Sequence, residues 1–65
     1  MDYIYVFVTD GAEWEDLIIY LSKEEAIEKS KKCPKVRLEI FKKSPNGGYR
    51  PTYNYYLDGV YIETT

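Results

Sequence analysis

The stretch "LSKEEAIEKSKKCP", Leu21–Pro34, carries the one clear helix signal in this chain; most of what surrounds it alternates like strand. Ser22 can cap the free amides of the first turn, and Glu25, three residues on, completes a capping box. Glu24 and Glu25 sit in the first turn and Lys29, Lys31 and Lys32 in the last, an order that complements the helix dipole. Ala26, Ile27, Ser30 and Cys33 form a thin inward stripe, and Pro34 stops the helix. A single helix can cover only one face of a sheet. The class that follows is α+β.

The strands read from both sides of that helix. Tyr3–Thr9 is apolar on both alternating sets, and "TDG" at Thr9–Gly11 is a turn. An acidic loop, "AEWED", surrounds the only tryptophan, Trp14. Leu17–Leu21 reads as a short β-branched strand. "VRLEIFKK" from Val36 alternates, and "SPNGG" at Ser44–Gly48 is a hairpin loop. The segment "GYRPTYNYYLDG" returns as a tyrosine-rich strand, with Pro51 marking an edge and Asp58-Gly59 a tight turn. Val60–Glu63 adds a final short strand. Residues 1–65 therefore read as a single domain. It is a small, four- to five-stranded, largely antiparallel sheet in the order β-β-α-β-β, with one helix packed on one face. The link from Leu21 to Val36 is long enough for a parallel crossover, so a mixed sheet stays open.

Parity assigns the faces. The aliphatic set, Ile4, Val6 and Val8 with Val36, Leu38 and Ile40, is expected under the helix. Tyr3, Tyr5, Phe7, Tyr20 and Phe41 are expected on the far face. In the tyrosine strand, Tyr49, Tyr53, Tyr55 and Leu57 share one parity and are placed on the helix side. Tyr56 falls with Arg50, Thr52 and Asn54 in the more polar set, so its ring is expected to be open to a partner.

Composition excludes several function classes. A domain of 65 residues is marginal in the surface it can bury. With one cysteine and no histidine, it forms no internal disulfide and builds no structural zinc site. A net charge of −2 argues against nucleic acid as a partner, and the basic aromatic signature of RNA-recognition sheets is absent. No segment is long and apolar enough to span a bilayer, and "MDYIYVFV" lacks the basic start of a secretory signal. The expected location is intracellular. Without histidine, general acid–base chemistry lacks its usual agent, and Cys33 has neither base nor orienting partner in view. No enzyme activity and no cofactor are expected. Asp10, Glu13, Glu15 and Asp16 flank Trp14 without the spacing of a calcium loop, so a solvated acidic loop outweighs a cation site.

Taken together, "YLSKEEAIEKSKK", "VRLEIF" and "GYRPTYNYYLDG" resemble small uncharacterised proteins of nucleocytoplasmic large DNA viruses, the giant viruses of protists and algae. The resemblance runs from Leu17 to Gly59 and rests on general appearance, with no catalytic motif. It implies a viral accessory or structural protein in the infected host cell cytoplasm, with the virion as a second location. It implies no activity and no site residues.

Two function classes remain. The first is a non-catalytic interaction or self-association module, pairing with itself as a homodimer or with another viral or host protein. Its expected surface is Tyr3, Tyr5, Phe7, Trp14, Tyr20, Phe41, Arg50 and Tyr56, together with the tyrosine-rich edge strand. The second is a small-ligand or nucleotide binder that stacks a planar group on tyrosines. A flat patch would favour the first; a concave aromatic pocket would favour the second.

Overall fold

The structure, a computed structural model, describes residues 2–64. In chain order the elements are β1 (Tyr3–Phe7), a 3-10 turn (Trp14–Asp16), β2 (Ile18–Tyr20), α1 (Lys23–Lys32), β3 (Leu38–Lys43), β4 (Tyr49–Leu57) and β5 (Val60–Ile62). The five strands form one sheet in the order β2-β1-β3-β4-β5, and every neighbouring pair is antiparallel. The link through α1 joins two strands that point the same way, but β1 lies between them. The mixed sheet that the link length left open is therefore not formed.

Ser22 starts α1 as expected: its Oγ accepts a hydrogen bond from the Glu25 N–H at 3.3 Å. The reciprocal half of the capping box is replaced, because the Ser22 hydroxyl donates to the Glu24 carboxylate at 3.0 Å. Ser22→Ala should lower stability by about 0.5–2 kcal/mol through loss of the cap. An unchanged denaturation midpoint would show that this hydroxyl does not hold the helix.

The faces differ from the parity reading. Facing pairs Tyr5–Ile40 and Phe7–Leu38 put the aromatic set of β1 on the same side as the aliphatic set of β3. That side packs under α1. Tyr5, Phe7, Leu38, Ile40 and Tyr56 form the buried cluster with Ala26, and Tyr20, Ile27, Cys33 and Val36 pack around it. Ile4 and Val6 instead share the open face with Glu39 and Phe41. The reason is complementary size. The residues α1 buries completely are small, Ala26 and Ser30, so large rings must rise from the sheet to fill the space. Because β1 is apolar on both sets, its own pattern could not choose between the faces.

Ser30 is also a pin. Its fully buried Oγ accepts a hydrogen bond from the Gly59 N–H at 2.9 Å, tying the β4–β5 turn to the helix. That turn is the expected Asp58-Gly59 hairpin, with φ of 52° and 75°. A side chain at Gly59 would press into the Lys31 stem, since a Cβ there would lie 2.6 Å from Lys31 Cγ.

β4 contains a wide irregularity. Its partners across β3 run from Phe41–Pro51 to Glu39–Tyr55, so Ile40 alone faces the three residues Thr52, Tyr53 and Asn54. The Thr52 hydroxyl bridges the gap, donating to the Ile40 carbonyl at 2.8 Å and accepting from the Asn54 N–H at 3.1 Å. Tyr53 occupies the left-handed region at φ 69° and is 68% exposed. This corrects its placement on the helix side: it lies at the crest of a bulge, outside the strand alternation. For an aromatic residue that backbone conformation is strained. Tyr53→Gly should raise stability by up to about 1 kcal/mol despite the added freedom of the unfolded chain. A lower midpoint would show that the ring contributes more than the strain.

Candidate functional site

Helix α1 lies against β1, β2 and β4. It starts near Tyr20 on β2 and ends over the β4–β5 turn, where Ser30 holds Gly59. The corner of the same face formed by the start of β1 and the end of β3 is left uncovered. There a groove of about 520 Å³ opens beside the first turn of the helix. Its floor is Ile40 with the rings of Tyr5 and Tyr56. Tyr3 and Tyr61 rise at two sides, and Thr52 and Asn54 of the bulge close a third. Lys23 from the helix and Lys42 from β3 supply the charge.

The rings form a chain of edge contacts. Tyr5 and Tyr56 lie 6.1 Å apart between centroids, and Tyr56 and Tyr61 lie 5.9 Å apart at 64°. These are separations at which ring pairs attract beyond their buried area. Burial pushes the Tyr5 hydroxyl above its ordinary value of 10.0, with Tyr56 the next cause. Burial does the same to Tyr56, with Tyr61 the second cause. Both hydroxyls, neutral at physiological pH as any phenol is, therefore stay protonated further into alkaline solution.

The open face is a second surface. One row across it runs Ile19–Val6–Glu39–Tyr55–Ile62, and a second holds Ile4, Phe41 and Pro51. Arg37 stacks on the Tyr55 ring at 3.8 Å and pairs with Glu39 at 2.9 Å, so the polar side chains there lie flat across apolar ones. Val8 extends this surface, lining one hollow with Arg37 and Glu39 and another with Leu17 and Trp14. Trp14 is 88% exposed.

The eight residues expected to form one interaction surface are divided. Tyr5, Phe7 and Tyr56 are buried beneath or beside the helix, which corrects their placement on an open face. Phe7 is further covered by Lys29, whose Nζ lies 4.7 Å from the ring centroid. Tyr20 is half-buried against the same cluster. Tyr3 is at the groove rim, and Arg50 is exposed on β4 directly opposite Lys42. Phe41 alone of the expected sheet residues is on the open face, and Trp14 stands at its end. Lys23, Lys42, Tyr61, Thr52 and Asn54 were not foreseen. Only strand register and the helix crossing bring them together, and neither is written in local sequence.

Among the described residues no group of acidic or cysteine side chains converges as a metal site, and the carboxylates of the Trp14 loop do not gather into one. Cys33 is a free, half-buried thiol packed against the core. No helix of the described residues is long and apolar enough to cross a membrane. No protein-family model, curated protein or solved structure matches this chain.

Proposed function

We propose that this chain is a non-catalytic interaction module that pairs with a second copy of itself through the open sheet face. The supporting observation is the sheet face that α1 leaves uncovered, where Val8, Ile19 and Trp14 are exposed and Phe41, Tyr55 and Ile62 are half-buried around a buried Val6. Contiguous apolar surface of this kind marks interaction sites. Tryptophan is enriched among the residues that dominate binding energy. A two-fold pairing brings the same face of each copy together and is the commonest closed arrangement. The proposed setting is the one the resemblance implies, an accessory or structural role in an infected cell.

Sedimentation equilibrium over a range of concentrations tests the pairing. A dimer is expected, and Phe41→Glu should convert it to a folded monomer with unchanged circular dichroism. Trp14→Ala should weaken pairing without affecting the fold. A wild-type chain that stays monomeric at every concentration would overturn the reading.

A further inference from the structure

We propose that the groove beside the first turn of α1 binds a nucleoside monophosphate, with the base among the tyrosines and the phosphate on the lysines. The site lies on the opposite side of the sheet from Phe41 and is independent of the pairing proposed above.

The first argument is charge. The chain has 11 acidic residues against 9 basic ones, yet none of the acidic residues lines this groove. Lys42, which lines the groove, faces Arg50 directly across β3 and β4. Like charges in that position repel and weaken the sheet. Among the described residues the ion pair is Arg37–Glu39, in which Lys42 and Arg50 take no part, while Lys23 feels the exposed Glu24 carboxylate beside it. An anion seated between Lys23 and Lys42 would offset the Lys42 charge that Arg50 repels and gain charge-assisted hydrogen bonds.

The second argument is shape. About 520 Å³ lies within the range of small-molecule sites, which are mostly apolar with a few placed polar groups. Tyr3 and Tyr61 are exposed enough to offer ring surface, while Tyr5 and Tyr56 are fixed below them by the core. A planar base suits such a lining, because every base has a face to stack. The third argument is hydrogen bonding. The Asn54 Oδ1 is held by the Thr64 N–H at 3.2 Å, which orients its amide group at the groove wall. That leaves the amide nitrogen as a donor for a base edge or a ribose hydroxyl.

Calorimetric titration with adenosine monophosphate, adenosine and inorganic phosphate tests this. The monophosphate should bind at least about tenfold more tightly than either fragment, the worth of one charge-assisted hydrogen bond. Lys42→Ala with Lys23→Ala should bring the monophosphate down to the affinity of adenosine. Tyr61→Ala should weaken the monophosphate and adenosine alike. All three side chains are exposed, so the variants should stay folded. Phe41→Glu, which breaks pairing, should leave binding intact. No binding of the monophosphate at millimolar concentration, or binding indifferent to the two lysines, would overturn the proposal.

Discussion

Leu38→Ala is expected to leave little folded protein at room temperature. Leu38 is fully buried on the central strand, facing Phe7 on one side and Tyr56 on the other. Truncating a buried leucine costs about 2–5 kcal/mol, with the size set by how far the surroundings collapse into the gap. Collapse is limited here, because the flanking residues are rings held from both sides. A domain of this length has a total stability of about 3–10 kcal/mol, so the loss removes much of it. Urea titration followed by tyrosine fluorescence should show the folded baseline shortened or absent. Leu38→Met, which keeps the volume, should cost less than about 1.5 kcal/mol. A midpoint for the alanine variant equal to wild type would mean that the core does not close over this position.

Tyr56→Ala should cost about 3–5 kcal/mol, in the range for a buried aromatic ring. Only 6% of the residue is exposed, and its ring links Tyr5 to Tyr61. Tyr53→Ala, three residues away, should change stability little, since that ring lies outside the core. Equal losses at the two positions would contradict the bulge. Tyr56→Phe keeps the ring and isolates the hydroxyl. Burial raises the folded-state value of that hydroxyl above 10.0, so the unfolded chain loses its proton first. Stability therefore holds below about 10 and falls as pH rises towards the folded-state value. The phenylalanine variant lacks that loss and should keep more of its stability in alkaline solution.

Much of the architecture was legible from Ser22, Pro34 and the turn residues. Each acts locally: a cap, a stop, a hairpin. The order β-β-α-β-β, with the fifth strand after the Asp58-Gly59 turn, follows from them with no knowledge of contacts. The faces did not follow, and β1 shows why. Tyr3, Tyr5 and Phe7 alternate with Ile4, Val6 and Val8, and both sets are apolar, so the strand carries no preference for either side. The decision is made by Ala26 and Ser30, which are distant in sequence and leave room for rings. Tyr56 was misplaced for a related reason. Its neighbours of like parity, Arg50, Thr52 and Asn54, are polar, yet they share its face and sit beside the groove that the helix leaves uncovered, while Tyr56 faces Leu38 in the core. Polarity at one end of β4 does not describe the other. The groove was the least legible feature, since Lys23 of the helix and Lys42 of β3 come to one groove only through tertiary packing.

The margin of β4 beyond the reach of β5 has a consequence for solubility. β5 pairs only Tyr55–Leu57, so Tyr49–Asn54 forms an outer border of the sheet. A straight tyrosine-rich border would be a template for strands from other chains, the route to fibrous precipitation. Here Pro51 has no amide to offer, Tyr53 turns the backbone away, and Thr64 occupies the Tyr53 carbonyl at 2.9 Å. Lateral growth is thereby blocked along the most tyrosine-dense segment of the chain. Straightening this border, by shortening the bulge and replacing Pro51 with threonine, would expose the ladder and turn a contained sheet into one that recruits its own copies.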